Sequence, residues 1–508
     1  MFSKILSFGL MGIKGFKIDV EVDTSIGLPS YDIVGLPDAA VKESKERVRS
    51  AIKNSGFNFP TKKITINLAP ASIKKVGPNF DLAIAISILQ STNQIKGGKA
   101  KDFIIIGELG LDGQIKAVKG VLPALISARS EGYKNFIIPK QNEKEASFID
   151  GINVYTFSNL GDAVGFLNGD INFMPIEKTV WSGELSDRIT EDFCRVKGQK
   201  IAKRAIEIAV AGGHNIIMVG PPGAGKTMIA KCIPSIMPDL TFEEALEITK
   251  IHSVAGELDL EKGVISSRPF RSPHHTASLV SLTGGGKDAR PGEVSLASEG
   301  VLFLDELPEY SRATLETLRQ PLEDGIITVS RASGSYEYPA NFMLVASMNP
   351  CLCGNYGSTT AVCTCSPSQI QNYLKKLSGP LLDRIDLKID VEKVTFYDIT
   401  SKTQEEPSSE IKKRVDKARK IQNERFNGTN VHTNAKMTTQ MLNEYCKLDS
   451  DGEALIRLAF ERYNISARGY SRILKVARTI ADLAGSENIG LNHIAEALAY
   501  RNIEKFQL

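Results

Sequence analysis

"NIIMVGPPGAGKTMIAKCI", residues 215–233, reads as an apolar strand, then G-x-x-x-x-G-K-[ST] from Gly220 to Thr227, then the start of a helix. Across Gly220, Pro221, Pro222, Gly223, Ala224 and Gly225 the glycines let backbone N–H groups turn inward around phosphates. Lys226 is placed to reach the β and γ oxygens, and Thr227 offers a hydroxyl to Mg²⁺ at the head of the helix. A glycine loop of this kind also occurs as plain structure. The strand before it and the helix after it are the context that makes it a phosphate site, and they imply an α/β unit that binds ATP with Mg²⁺.

The later strand candidates supply the rest of such a site. "GVLFLDELPEY" (300–310) is an apolar strand ending in Asp305 and Glu306. A carboxylate at a strand's end beside the phosphate loop suits a second Mg²⁺ contact, and the next acid can polarise the attacking water. Asp305 is therefore read as a metal residue with Thr227, and Glu306 as the general base. "NFMLVASMN" (341–349) ends in Asn349, a polar residue placed to orient that water. Two arginine features complete the set, because guanidinium groups stabilise a transferring phosphoryl group and can come from a neighbouring subunit. Arg384 lies in "SGPLLDRIDL" (378–387), where the plain alternative is a salt bridge within its own DRID. Arg468, with Arg472 as the second candidate, heads the basic helix pattern of "NISARGYSRILKVARTIADLAG" (464–485), where the plain alternative is a charge on a helix face.

Composition sets the frame. With 508 residues, 42% hydrophobic and 24% charged, the chain is long enough for two to four domains with their own cores. A formal net charge of +3 makes nucleic-acid contact a matter of local clusters. No apolar run approaches the roughly 20 residues of a membrane span, and the N-terminus lacks a signal-peptide pattern, so the expectation is a cytoplasmic protein with no membrane partner. Short β-rich runs mixed with helical segments predict an α/β domain over 1–170. A weakly periodic linker is expected at 171–194, the phosphate-binding α/β core at 195–400 and an all-α domain at 401–508. Two stretches of the tail, "EIKKRVDKARKIQNERF" (410–426) and "RGYSRILKVARTIADLAG" (468–485), are basic and amphipathic, and are candidates for ATP, for DNA or for a solvated face.

"NPCLCGNYGSTTAVCTCSP" (349–367) gathers Cys351, Cys353, Cys363 and Cys365 between Asn349 and Arg384. Four thiolates can close a tetrahedral Zn²⁺ site, with unligated thiols and a disulfide as the alternatives. His274 and His275 invite a metal reading, but adjacent histidines without further ligands fit packing or hydrogen bonding better.

Taken in order, "VKGQKIAKRAIEIAVAGGHNIIMVGPPGAGKT", "RPFRSPHHTASLVSLTGGG", "RPGEVSLASEGVLFLDELPE" and "SGPLLDRIDL" resemble the blocks of the ComM/YifB family of magnesium-chelatase-like AAA+ ATPases. The resemblance implies that Lys226 and Thr227 belong to Walker A and Asp305 and Glu306 to Walker B. It makes Asn349 sensor 1, Arg384 an arginine finger acting in trans and Arg468 sensor 2. It further implies a hexameric ring with ATP at subunit interfaces, a helical lid at 401–508 and an insertion, "SPHHTASLVSLTGGGKDARPGE" (272–293), directed toward the ring's pore. Read from its residues, Gly284 to Gly286 beside Lys287 and Arg290 form a flexible cationic loop suited to a phosphate backbone, or a plain surface loop.

The N-terminal stretches "TINLAPASIKKVGPNFDLAIAISIL" (65–89) and "GELGLDGQIKAVKGVLPALISA" (107–128) resemble the proteolytic domain of Lon-type proteases. Where that family has its catalytic serine and lysine this chain has Asn79 and Leu122, so the resemblance implies the fold without the peptidase. Lys74, Lys75, Lys116 and Lys119 suggest a basic surface. The expected function is an ATP-driven motor on single-stranded or branched DNA, a helicase or branch-migration enzyme of recombination or natural transformation. The alternatives are a magnesium chelatase-type motor subunit and an ATP-gated scaffold that remodels proteins.

Overall fold

Alternating apolar and polar residues make a long hairpin of the first 25 residues. β1 (Phe2–Met11) and β2 (Lys14–Ser25) pair antiparallel from Phe2 opposite Asp23 to Met11 opposite Lys14, which buries Ile18, Val20 and Val22 on one face. β3 (Ser30–Val34), β4 (Lys63–Ala69) and β5 (Ile104–Ile105) join them. After the small hairpin β6 (Glu108–Leu109) and β7 (Ile115–Lys116) come β8 (Asn135–Pro139) and β9 (Asn153–Phe157). Together they form a seven-stranded mixed sheet in the order β3-β4-β2-β1-β5-β8-β9. Its two faces are covered separately. Ile137 of β8 packs with the helices Ala39–Asn54 and Asp81–Ser91, while Phe136 and Ile138 pack with the helix Val121–Ser130. The computed structural model describes residues 1–183, 191–286, 289–331, 334–358, 361–396, 400, 404–463 and 465–501.

Two features of this first unit bear on the sequence reading. Asn79 sits in the loop before the helix Asp81–Ser91, and Leu122 is fully buried beneath the sheet, so neither position offers a nucleophile or a base. Lys75 does not belong to a basic surface. Its side chain is buried and its Nζ donates to the carbonyls of Pro70 and of Ile73, the latter at 2.8 Å, with burial pushing the amine below its usual value.

The second unit is a five-stranded sheet in the order β11-β12-β15-β10-β16, every pairing parallel. Its strands are β10 (Ile216–Val219), β11 (Phe270–Arg271), β12 (Val301–Leu304), β15 (Met343–Met348) and β16 (Leu387–Asp390). β10, β12 and β15 are buried at every position, as continuous apolar runs become when helices cover both faces. A separate antiparallel hairpin, β13 (Ile326–Arg331) with β14 (Gly334–Pro339), stands off this sheet.

The tail is helical: Ser408–Arg425, Thr439–Tyr445, Ser450–Tyr463, Ala467–Leu483 and Leu491–Ala499. It shares one core with the second unit, in which Ile206 and Ala209 meet Val415, Ala418, Ile473 and Ala477. Part of its basic charge is spent across this junction and part within the tail. Arg414 pairs with Glu207 and Glu406, Arg425 and Arg478 with the buried Asp482, and Arg419 donates to the carbonyl of Val210 at 3.1 Å. Of the two basic stretches read from the sequence, Arg414 and Arg419 thus tie the tail to the core, while Arg425 and Arg478 tie its own helices together. No helix among the described residues is long and apolar enough to cross a membrane.

Between the units, the described part of the expected linker is tied down. Ile176 and Thr179 donate backbone bonds to Val154 and Ser147, and the Trp181 ring lies against Phe148 and Phe242. Glu145 anchors the junction. It is buried and accepts from Asn142, from the Leu122 amide at 3.2 Å and from Ser253 of the helix Phe242–Ala255 at 3.1 Å. Burial pushes its carboxyl up to about 7 against those hydrogen bonds.

Candidate nucleotide site

Because β10, β12 and β15 are parallel neighbours, the loops at their C-terminal ends leave from the same edge of the sheet. This register brings residues more than 120 positions apart into contact. The loop after β10 turns through Gly223 and Gly225 at φ of +76 and +86, values that disfavour side chains, and delivers Lys226 to the start of the helix Lys226–Cys232. The Lys226 Nζ donates to the carbonyls of Gly220 at 2.7 Å and Pro221 at 3.0 Å and to Asn349 Oδ1 at 3.2 Å. Burial holds this amine below the usual lysine value, and the carboxylates of Asp305 and Glu306 draw it partly back.

The Thr227 hydroxyl donates to Asp305 Oδ2 at 2.8 Å, and Ser347 donates to Asp305 Oδ1. A hydroxyl and a carboxylate in contact are the hard oxygen donors that suit Mg²⁺, so these two residues fit the ion assigned to them. Glu306 comes next, in the left-handed region at φ +52, a strained setting for a glutamate, with its amide held by Asp305 Oδ1 at 3.0 Å. Its carboxylate is exposed and faces His275 Nδ1 at 3.3 Å. His275 is held there in turn. Tyr310 donates to the Pro273 carbonyl at 2.6 Å and its ring meets His275 edge-on, while the His274 and His275 rings lie 4.1 Å apart.

The arginines are somewhere else. Arg384 precedes β16, and its carbonyl accepts from Asn215, the residue before β10, at 3.0 Å. It therefore stands at the edge where the strands begin, with the phosphate loop where they end. Four-residue strands at ~3.3 Å per residue put roughly 13 Å between the two edges. The Arg384 guanidinium is buried, bonded to Glu323 and to the Pro380 carbonyl at 2.7 Å, and its Nε has no partner among the described residues. Arg472 lies 3.5 Å from Asp386 on the same edge. Glu323 is held well below the usual carboxylate range by its bond to Arg384, with the charges of Arg468 and Arg472 adding to it. Arg468 lies in the first turn of the helix Ala467–Leu483, and its charge acts on Glu323.

Lys287 of the cationic loop lies outside the described residues. Gly285 and Arg290 exchange backbone bonds at 2.8 and 2.9 Å, which closes the base of that loop, and Arg331 at the tip of the β13–β14 hairpin donates to the Gly286 carbonyl at 3.2 Å. Sequence reasoning missed this hairpin, although the alternation of "IITVSRASGSYEYP" signals it. It also missed Ser347, the polar residue in an otherwise apolar strand, and Glu323, which no spacing rule connects to Arg384; His275 was expected to pack or hydrogen-bond, as it does, but without Glu306 as its partner.

The sulfurs of Cys351, Cys353, Cys363 and Cys365 all lie within 4.8 Å of one another.

Three family models match consecutive parts of the chain. Magnesium chelatase, subunit ChlI, matches residues 192–399, subunit ChlI of Mg-chelatase matches 20–142, and magnesium chelatase, subunit ChlI C-terminal, matches 405–501. The chain is 43% identical to the competence protein ComM of Haemophilus influenzae, over 98% of this chain and 97% of that one. It is 42% identical to the uncharacterized protein YifB of Escherichia coli, over 97% and 96%. A shorter match, 36% identical over 20% of this chain and 22% of the other, is to the DNA repair protein RadA of Aquifex aeolicus.

Proposed function

We propose, from the premise that this chain belongs to the ComM/YifB family of magnesium-chelatase-like AAA+ ATPases, that it hydrolyses ATP in a homo-oligomeric ring, expected to be a hexamer, and that hydrolysis drives movement on single-stranded or branched DNA. The observation that carries this reading is the division of one ATPase site between two edges of one sheet. Lys226, Thr227, Asp305, Glu306 and Asn349 gather at one edge, while Arg384 and Arg472 stand at the other. Copies joined head to tail would bring the second edge of one to the first edge of the next, a heterologous contact that makes a ring when its rotation closes.

In such a ring Lys226 holds the β and γ phosphate oxygens. Thr227 and Asp305 would hold Mg²⁺, which when bound neutralises charge on the phosphates. Asn349 orients the attacking water, and the Glu306 carboxylate takes its proton as the oxygen approaches phosphorus. Arg384 from the neighbouring copy stabilises the charge on the transferring group, with Arg468 beside it as the second cation.

DNA as the track is supported by the Gly284–Gly286 loop and the β13–β14 hairpin meeting at Arg331 beside Arg290, which places cationic residues on two adjoining loops. Two of the relatives, a competence protein and a DNA repair protein, point the same way, to recombination during DNA uptake. The first domain serves as a scaffold, and no peptidase activity is assigned to it.

The test is the ATPase rate with and without single-stranded, duplex and branched DNA at two salt concentrations, together with three-strand branch migration, for the wild type and Glu306→Gln. Stimulation by DNA and strand exchange that the variant lacks are expected. A rate unchanged by any DNA favours a protein-remodelling scaffold, and stimulation by porphyrin alone favours a chelatase motor.

A further inference from the structure

The four cysteines are the one cluster of metal-ligating groups among the described residues that ATP hydrolysis leaves unused. Their sulfurs are separated by 3.4 Å (Cys351 to Cys353), 3.7 Å (Cys351 to Cys363) and 3.6 Å (Cys353 to Cys363). A disulfide needs a separation of about 2.05 Å, so none of these pairs is bonded. A tetrahedral zinc with Zn–S bonds of about 2.3 Å requires edges of about 3.8 Å, close to all three. The backbone is shaped around the sulfurs as well. Cys353 N–H points at Cys365 Sγ at 3.4 Å and Tyr356 N–H at Cys351 Sγ at 3.3 Å, bonds that stabilise thiolate rather than thiol.

The cluster also touches the nucleotide site. Cys351 lies two residues after Asn349, and the Cys351 carbonyl accepts from Gly354 N–H at 3.0 Å, so the first cysteine pair closes a tight turn. Gly354 sits at φ +80 on the back of the phosphate loop, and a Cβ there would lie 2.5 Å from Cδ of Pro222. Only backbone fits. The second pair leads directly to Ser366, which caps the helix Pro367–Leu374. One cross-link at the sulfurs would thus fix both sides of the site, Pro222 of the phosphate loop and Asn349.

We propose that Cys351, Cys353, Cys363 and Cys365 bind one structural Zn²⁺, and that the closed turn braces Gly354 against Pro222, so that zinc occupancy sets the affinity for nucleotide. On binding, each thiol releases its proton to solvent and the four thiolates ligate the ion, with no change of oxidation state. The coupling rests on the nucleotide reading of Lys226 and Thr227. The metal site does not, and the two can fail separately.

The experiment uses the full-length protein purified without a metal-affinity tag. Zinc is measured by plasma mass spectrometry, and a cobalt-exchanged sample is examined for thiolate charge-transfer absorption. About one equivalent of zinc and that absorption are expected, both lost in Cys363→Ser/Cys365→Ser. Less than about half an equivalent with no cobalt–thiolate band overturns the site. Should the serine variant fail to fold, Gly354→Ala carries the coupling, because it spares every ligand. It should retain zinc while binding of a fluorescent ATP analogue weakens roughly three- to tenfold. Analogue binding is also measured on wild type before and after zinc is stripped with a chelator, with a roughly three- to tenfold loss expected; unchanged affinity on zinc loss overturns the coupling, and unchanged affinity in Gly354→Ala overturns the route through Pro222. If the wild type binds zinc but no ATP analogue, the nucleotide reading fails and the metal site stands.

Discussion

The two edges of the five-stranded sheet are built from the same strands, and under the proposed function they hold opposite halves of one chemistry. At the edge where β10, β12 and β15 end, hydrogen bonds link Lys226 to Asn349 and Thr227 to Asp305, so the groups that grip phosphate are positioned within a single chain. Where β10 and β16 begin, Arg384 is held by Glu323 and Arg472 by Asp386, and the phosphate loop lies at the far end of the same strands. A parallel sheet's polarity puts the residues before the strands on one side and the residues after them on the other, so in the proposed ring the first edge receives its arginine from the second edge of a neighbouring copy.

The harshest way to break this contrast is to empty the first edge. Lys226→Ala should weaken ATP binding by about 100-fold or more and abolish hydrolysis, because the variant removes the cation at the β and γ oxygens. Measured by fluorescent-nucleotide titration, near-normal affinity would mean that the loop does not cradle phosphate.

The second prediction tests whether the edges belong to different subunits. Arg384→Ala should lower kcat by about 10³-fold with little effect on nucleotide affinity. Mixed with equimolar Glu306→Gln, itself inactive, it should regain activity at roughly a quarter of the interfaces, those in which an intact Glu306 faces an intact Arg384. No recovery after co-assembly would place Arg384 in cis and end the comparison. His275→Ala is a milder cut at the first edge. Losing the ring that faces Glu306 should lower kcat by about three- to tenfold with KM unchanged, partly rescued by His275→Asn. A change in KM alone would make His275 part of the binding surface instead.

How much of this was legible in sequence depends on how local each feature is. The phosphate loop, Asp305, Glu306 and Asn349 each sit at the end of a contiguous apolar run, so strand pattern and motif together placed them. The order β11-β12-β15-β10-β16 was not legible, since β11 is two residues long and no short-range signal says that it lies beside β12. The partner of His275, Glu306, was missed for that reason. The basic helix Ser408–Arg425 misled in the other direction. Charge spacing reveals a cationic face but not the acids that meet it, and Glu207, 207 positions from Arg414, is what converts that face into a buried junction. Lys75 failed similarly, since a lysine in a polar run gives no sign that two backbone carbonyls will enclose it.

The finest test concerns Glu323, which separates the Arg384 of a lone chain from the one a ring would use. Glu323 is 56% exposed while Arg384 is 9% exposed, so water screens one partner of the pair and its strength stays in the range of about 0–1 kcal/mol. A contact this weak can park the guanidinium without competing seriously with a triphosphate. Glu323→Gln should therefore raise the basal ATPase rate by only about twofold, the factor expected when a fraction of 1 kcal/mol is released. The gain should shrink as salt is added, because the screened pair is already loosened. A fall of similar size would instead assign Glu323 to aiming Arg384 at the neighbour's phosphate, and the second edge would then be a preset half-site rather than one held closed until a partner arrives.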